Sequence, residues 1–314
     1  MTTTPHMLQC SEVWGSNDEV ERAVSMPGLD AWVLSKPHEG NSAGGDIHYL
    51  SSCATGRIGR VLIADVAGHG EKVARLAVRL RNLMRRYVNY VDQTTLVEQI
   101  NSEFLQVAEP GRFATAVVAT FWGPSGDLDL TIAGHPPPLV YREKLKAWMF
   151  VKPESSSQAE LEDIPLGVLD ATKYRRQKLR LGPRDAVLLY TDALIEARNS
   201  RGVFLTERGL LDMLNTTTVP IGDGYVIAAY ERVKAFCEGK PPDDDATLML
   251  LKLNSIAPPK GGLSMAIGTG WRLTRELFVV MGEKLRGKQS DFAAPELRKD
   301  NFLGVLFDRF NRRG

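Results

Sequence analysis

The chain has 314 residues, enough for one large domain or two small ones with a sizeable core. Its formal net charge is +1 at pH 7, which gives no electrostatic reason to expect a nucleic-acid or membrane partner. The three cysteines are scattered and form no Cys-x-x-Cys pair, so neither a disulfide framework nor a zinc site is predicted. The N-terminus is polar, unlike a signal peptide, and no apolar run reaches about 18 residues. We therefore expect a cytoplasmic protein without a transmembrane segment.

The first 29 residues show no regular pattern and are predicted to be an irregular N-terminal extension. Over 30–255, apolar runs typical of strands are interspersed with stretches of helical periodicity, which predicts one domain of mixed helices and strands. The predicted strands are Ala31–Ser35, Asp46–Ser51, Arg60–Asp65, Phe113–Trp122, Asp127–Ala133, Pro138–Arg142, Ala147–Lys152, Gln177–Leu181, Ala186–Tyr190 and Thr247–Leu253. The predicted helices are Glu71–Tyr90, Gln93–Ala108, Gly209–Asn215 and Tyr225–Cys237.

The character of the sequence changes near Ile256. Residues 256–262 are rich in proline and glycine and are predicted to be a linker. Residues 263–314 carry apolar side chains at helical spacing, Trp271, Leu277 and Phe278 among them, and are predicted to be a helical tail. We expect this tail to dock on its own domain or to form a homodimer, rather than to bind a membrane surface.

Four aspartates stand at the ends of apolar strands. They are Asp46 behind two glycines, Asp65 before a Gly-His-Gly loop, Asp192 after a buried strand and Asp244 before one. Hard divalent cations prefer oxygen ligands, and aspartates that converge at one end of a sandwich would supply them. A single aspartate at a strand end is more often a turn former, so the indication lies in the ordered set and not in any one residue.

The motifs form an ordered set: Gly44-Gly45-Asp46, Asp65-Val66-Ala67-Gly68-His69-Gly70, Phe113-Ala114-Thr115, Ala133-Gly134-His135-Pro136, Pro165-Leu166-Gly167, Thr191-Asp192 and Asp244-Asp245-Ala246-Thr247. Together with Asn101 on the second helix, they resemble the SpoIIE branch of the metal-dependent, protein phosphatase 2C-like (PPM) serine/threonine phosphatases. The resemblance covers about 44–253. It implies an α+β fold, a four-layer α-β-β-α sandwich of two antiparallel sheets.

The resemblance also implies a centre of two Mn²⁺ or Mg²⁺ ions. By position, the metal-binding carboxylates would be those of Asp46, Asp65, Asp192 and Asp244, with the backbone carbonyl of Val66 as a further ligand. Asp65 is the expected bridging ligand. A metal-activated water would then hydrolyse a phosphoserine or phosphothreonine, without a covalent phosphoenzyme. His69 is the candidate general acid for the leaving oxygen, and a structural role for it is the alternative.

The same resemblance implies a role in bacterial partner-switching signalling, with a phosphorylated protein substrate such as a STAS-type anti-sigma-factor antagonist. In this branch, the two helices after the glycine-rich loop act as a switch that orders the metal site. Here they correspond to 71–90 and 93–108. The first is crowded with arginines, namely Arg75, Arg79, Arg81, Arg85 and Arg86. This surface is either a solvated helix face or a docking surface for a regulatory protein or a second subunit.

Two features depart from the family pattern. His48 and Tyr49 stand where the family often carries an aromatic and then an acidic residue, a difference that concerns the second-metal site. The usual Thr-Asp-Gly is here Thr191-Asp192-Ala193, and a positive φ at this position would strain alanine by about 1 kcal/mol. Two alternative functions stay open at this point. The chain could be a catalytically weak binding or regulatory module with the same fold, or it could hydrolyse a small phosphate ester. Retention of all four aspartates argues against the binding module.

Overall fold

The computed structural model describes residues 5–8, 12–38, 43–53, 56–68, 70–88, 90–151 and 162–258. The strands are β1 (His6–Met7), β2 (Val13–Trp14), β3 (Val20–Met26), β4 (Leu29–Lys36), β5 (Asp46–Ser52), β6 (Ile58–Val66), β7 (Ala114–Trp122), β8 (Asp127–Ala133), β9 (Leu139–Arg142), β10 (Ala147–Phe150), β11 (Gln177–Arg180), β12 (Ala186–Tyr190) and β13 (Ala246–Leu253). The helices are α1 (Glu71–Arg86), α2 (Gln93–Val107), α3 (Ala193–Glu196), α4 (Thr206–Asn215) and α5 (Tyr225–Phe236).

The strands form two sheets that pack face to face. One has seven strands in the order β1-β3-β4-β13-β12-β9-β10, and the other has six in the order β11-β8-β7-β6-β5-β2. Neighbouring strands are antiparallel, apart from the parallel pair β1 and β3. Helices α1 and α2 cover the outer face of the six-stranded sheet, and α4 and α5 cover the outer face of the other. The predicted α-β-β-α sandwich is confirmed.

Strand β6 lies at the centre of this arrangement and is covered on both faces. Val61 and Ile63 pack into the core between the sheets, whereas Leu62 and Ala64 pack under the helices α1 and α2. Successive side chains of a strand point to opposite faces, so a strand covered on both sides needs an uninterrupted apolar run. This burial holds β6 in place and fixes the position of Asp65 near its end.

The two helices over the six-stranded sheet are amphipathic. Helix α1 buries apolar residues at steps of three and four, and its arginines lie on the remaining faces. It ends at Arg86, four residues before its predicted end, whereas α2 closely follows its prediction. The carboxylate of Asp92 caps α2 by accepting the backbone N–H of Thr95.

The prediction of an irregular extension over 1–29 is wrong for 20–26. These residues form β3, which pairs with β4 through a tight Pro27-Gly28 turn in which Gly28 has a φ of 88°. Ala23–Met26 are buried in succession, so β3 belongs to the sandwich and the domain begins before residue 30. The short strands β1 and β2 add to the edges of the two sheets.

The predicted helical tail over 263–314, and residues 259–262 of the predicted linker, lie outside the described residues. In the part of the chain that the structure describes, none of the helices has the length and apolar character needed to cross a bilayer.

Candidate metal centre

Two of the predicted metal ligands are direct neighbours in the six-stranded sheet. Asp46, the first residue of β5, is the cross-strand partner of Asp65, the penultimate residue of β6. On its other side, Asp65 is paired with Thr115 of β7. The antiparallel register therefore brings two carboxylates to the same end of the sheet, as the resemblance predicts.

The seven-stranded sheet contributes the other carboxylates at the same end. Asp192 follows β12, and Asp244 and Asp245 precede its neighbour β13. The Thr191 hydroxyl donates to Oδ2 of Asp46 over 2.8 Å and so joins the two sheets. The negative charges of Asp192, Asp244 and Asp245 all act on Asp65. The structure thus brings the four predicted aspartates together, and these four with Asp245 are termed the acidic cluster.

Two glycines allow the backbone to approach this cluster. A Cβ atom on Gly44 would lie 2.3 Å from Oδ2 of Asp245, so any side chain at this position would displace the Asp245 carboxylate. A Cβ atom on Gly45 would lie 2.9 Å from the Val66 carbonyl oxygen and 3.3 Å from Oδ1 of Asp65. The Val66 carbonyl and the Asp65 carboxylate therefore lie on the same small space beside Gly45, which only a residue without a side chain leaves open.

The acidic cluster holds more negative charge than its surroundings neutralise. Burial, and then the charge of Asp65, raise the pKa of Asp46 well above its usual range. Burial and the neighbouring Asp192 raise the pKa of Asp65 to about 7, and burial followed by Glu196 raises that of Asp192. Among the described residues, Oδ1 of Asp46 is buried and has no hydrogen-bond partner. A bound cation would relieve both the repulsion and this unpartnered oxygen.

The donor set fits a hard divalent cation. Every candidate ligand is an oxygen, which suits Mg²⁺ or Mn²⁺ and not the nitrogen and sulfur sites typical of zinc. Within the described ranges, no three His, Cys, Asp or Glu side chains are already arranged so that they could hold an ion. The aspartate side chains would therefore have to adjust around a bound ion.

Asp245 has a structural role that the sequence does not indicate. Its carboxylate accepts the backbone N–H groups of His38 and Gly45, each over 2.6 Å. These bonds fix the chain that enters β5 and therefore position Gly45 and Asp46. The motif Asp244-Asp245 is visible in the sequence, but a sequence does not show which of two adjacent carboxylates binds the backbone.

His135 holds the two sheets together next to the acidic cluster. Its Nε2 lies 3.0 Å from the Tyr190 carbonyl oxygen, and because a carbonyl only accepts, Nε2 carries the proton. Its Nδ1 then accepts the Thr115 hydroxyl over 2.8 Å. Burial lowers the pKa of His135 to about 4, so the ring is neutral and organises the end of β12.

Asn101 ties helix α2 to a loop of the same domain. Its side chain accepts the Gly167 N–H and donates to the Leu169 carbonyl, each over 2.9 Å. Leu166 in that loop pairs with Ala114 at the start of β7. Asn101 therefore connects α2 to the strand next to β6. The predicted general acid, His69, lies outside the described residues.

The strain expected at Ala193 is absent. Ala193 is the first residue of the short helix α3, and it is not among the residues with a positive φ. Its side chain is buried, with 4% exposure. Alanine suits a helical position, so the departure from Thr-Asp-Gly costs no backbone strain in this conformation.

Replacing Ala193 with glycine is therefore expected to lower stability by about 0.5–1 kcal/mol and to leave activity unchanged, because glycine adds backbone entropy to the unfolded chain. Urea denaturation and a phosphate-ester assay on the same preparation would measure both. A several-fold gain in activity would show instead that this position needs a glycine backbone conformation during turnover.

The family model for the stage II sporulation protein E (SpoIIE) matches residues 56–254. Among solved structures, the RsbU and RsbW domains of Rv1364c from Mycobacterium tuberculosis share 24% identity, with 84% of this chain and 72% of that chain covered and a TM-score of 0.60. The PP2C phosphatase domain with a regulatory-domain fragment of SpoIIE from Bacillus subtilis shares 14%, with 73% and 64% covered and a TM-score of 0.61. The SiaA-PP2C domain of Pseudomonas aeruginosa shares 17%, with 71% and 85% covered and a TM-score of 0.57.

These structural likenesses show that the fold is shared. The chain spans about two thirds of the Bacillus subtilis SpoIIE structure, which includes a fragment of a regulatory domain. Asp46 lies before the first residue matched by the family model, and its place in the acidic cluster rests on its pairing with Asp65. The family model covers well over half of the chain, and the protein belongs to the SpoIIE family.

Proposed function

We propose that this protein is a divalent-metal-dependent phosphatase that hydrolyses phosphoserine or phosphothreonine in a protein substrate. The observation that supports this best is the acidic cluster in a SpoIIE-family fold. Its carboxylates repel one another, and the buried Asp46 keeps an unpartnered oxygen within the described structure. Proteins retain such an unfavourable arrangement where function requires it, and a metal site is the function that oxygen-only ligands serve.

The proposed ligands are Asp46, Asp65, Asp192, Asp244 and the Val66 carbonyl, and they would hold two Mn²⁺ or Mg²⁺ ions. When bound, such cations lower the pKa of water and neutralise charge on a phosphoryl group. Asp65 lies between Asp46 on β5 and the aspartates of the other sheet, which suits it to bridge the ions. Thr191 orients Asp46 through its hydroxyl.

The remaining functional assignments rest partly on the sequence and partly on family membership. We propose His69 as the general acid and a phosphorylated STAS-type anti-sigma-factor antagonist as the substrate, within bacterial partner-switching signalling in the cytoplasm. A regulatory protein on residues 71–108 and a homodimer through the tail are further proposals. Described cysteines offer no competing nucleophile, since Cys53 and Cys237 are both buried and burial raises the pKa of the Cys237 thiol.

The test is hydrolysis of p-nitrophenyl phosphate across a manganese titration, with a chelator as the baseline. We expect saturable, manganese-dependent turnover that the chelator abolishes. An Asp212→Asn variant on the exposed face of α4 is the matched control and should behave as the wild type. Absence of both turnover and calorimetric manganese binding would favour the binding module. Turnover of small esters without any turnover of phosphoproteins would favour a small-ester hydrolase.

A further inference from the structure

A pocket of about 90 Å³ lies between the first turns of α1, the end of α2 and the loop before β7. Four cationic side chains line it, Lys72, Arg75, Arg79 and Arg112, together with one acidic side chain, Glu109. This pocket is termed the basic groove. Its charge is opposite to that of the acidic cluster. The arginine pattern of α1 by itself fits either a solvated helix face or a docking surface.

The basic groove adjoins the loop that follows β6. The Arg112 guanidinium donates to the Ala67 carbonyl over 2.9 Å, and a Cβ atom on Gly68 would lie 2.2 Å from its Nη1. Val73, which lines the groove, lies 3.1 Å from the place of a Cβ atom on Gly45. A peptide chain with its phosphorylated residue at the acidic cluster would therefore have the basic groove beside it.

The cations of the basic groove are held weakly or by neutral groups. Arg79 donates to the Val107 carbonyl over 3.1 Å, and within the described residues neither Arg79 nor Arg112 pairs with a carboxylate. Arg75 pairs with Glu71 one turn earlier in α1, and the Lys72 Nζ lies 3.5 Å from a carboxylate oxygen of Glu109. All four side chains are mostly exposed, which makes both ion pairs weak. Neutral acceptors fix the direction of the two arginines without neutralising them, and the surface stays positive.

The shape of the basic groove favours a peptide. It is concave and has an apolar floor that includes Leu76, and next to Arg112 the side chain of Phe113 is 37% exposed. A flat bilayer would not enter such a pocket, and a net charge of +1 gives the chain no overall electrostatic attraction for a nucleic acid. Arginine beside an exposed aromatic residue is typical of surfaces that bind a partner segment.

We infer that the basic groove binds an acidic segment of the phosphoprotein substrate, next to the residue that is dephosphorylated. This inference rests on the proposed function and adds a preference for substrates with acidic residues near the phosphorylation site. One carboxylate of the segment would replace Glu109 as the ion-pair partner of Lys72. Another would accept hydrogen bonds from the guanidinium of Arg79. The docking energy would be electrostatic and would fall with added salt.

The test separates docking from catalysis by using metal-free protein. A fluorescein-labelled serine peptide flanked by glutamates is titrated in the presence of a chelator, beside the same peptide with glutamines. The variant is Lys72→Gln/Arg75→Gln/Arg79→Gln. The matched control, Arg201→Gln/Arg232→Gln/Lys240→Gln, removes the same charge from exposed positions outside the basic groove. Arg112 is left intact because it contacts the loop after β6.

We expect the glutamate peptide to bind more tightly than the glutamine peptide and more weakly at high salt. The groove variant should raise the Kd about tenfold, because it removes three exposed ion pairs whose free energies add. The control variant should leave the Kd unchanged. Equal weakening by both variants, or no preference for glutamate, would overturn the inference, as would stronger binding to phosphatidylserine vesicles than to the peptide. Turnover of p-nitrophenyl phosphate is scored separately, so a failed groove and a failed phosphatase give different results.

Discussion

Replacing Asp65 with asparagine is expected to abolish metal-dependent hydrolysis and, at the same time, to stabilise the metal-free protein. Asp65 is paired with Asp46 and feels the charges of Asp192 and Asp244, so its carboxylate is the most crowded of the cluster. Asparagine keeps the shape and removes the charge. Loss of that charge removes a proposed bridging ligand. It also removes the repulsion between Asp65 and the neighbouring carboxylates, which destabilises the folded protein when no metal is bound.

The size of the gain in stability follows from the electrostatics of the site. A carboxylate whose pKa is raised to about 7 is destabilised, in its charged form, by about 2–4 kcal/mol relative to the unfolded chain near neutral pH. We therefore expect the Asp65→Asn variant to unfold at higher urea concentration than the wild type when both are free of metal. Manganese should stabilise the wild type by binding the folded state and should have little effect on the variant.

The Asp212→Asn variant provides the reference, since it removes an exposed carboxylate from α4. It should match the wild type in turnover and in the response to manganese. Full activity of Asp65→Asn would remove Asp65 from the metal centre. If Asp65→Asn is less stable than the metal-free wild type, the Asp65 carboxylate stabilises the fold, and repulsion within the cluster is not its main effect.

Most strands and helices were predictable from local patterns, whereas the sandwich fold and the acidic cluster were implied by the resemblance of the ordered motifs to the SpoIIE branch. The apolar run of β6 reads as a strand, and the end of a buried strand is a rigid place to hold Asp65. Gly44 and Gly45 stand directly before Asp46, and the absence of side chains there lets the backbone approach the acidic cluster closely. A single sequence shows the apolar run and the Gly-Gly-Asp motif because their residues are neighbours in the chain, but it does not show that Asp245 is the residue that Gly44 approaches.

What the sequence did not predict depends on partners distant in the chain. Strand β3 has two charged residues followed by four buried ones, and only its pairing with β4 on one side and β1 on the other makes it a strand. The four-residue helix α3 is too short to show a periodic pattern, so the sequence did not predict it. Because Ala193 belongs to this helix, it has no positive φ and the expected strain is absent. The contact of Arg112 with the loop after β6 joins residues 45 positions apart.

Thr191 shows the same limit most clearly, because its sequence motif gives no sign of the bonds it makes. It is fully buried, it donates to Asp46 over 2.8 Å, and its hydroxyl oxygen accepts the Thr247 N–H over 2.9 Å. The Thr247 hydroxyl lies 2.9 Å from that of Ser35. The Thr191 hydroxyl therefore connects β13 of the seven-stranded sheet to Asp46 on β5 of the six-stranded sheet.

Replacing Thr191 with valine is expected to destabilise the protein by about 3 kcal/mol and to reduce manganese-dependent turnover strongly. Valine has nearly the same shape and leaves no cavity, so the loss comes from a bond to a charged acceptor and from a buried N–H of Thr247 left without a partner. Asp46 would also lose the hydroxyl that orients its carboxylate beside the proposed metal site. Thr191→Ser is the matched control, because it keeps the hydroxyl and should retain turnover. Urea denaturation and a manganese titration of hydrolysis measure the two effects, and equal behaviour of the valine and serine variants would show that packing, and not the hydroxyl, holds this part of the site.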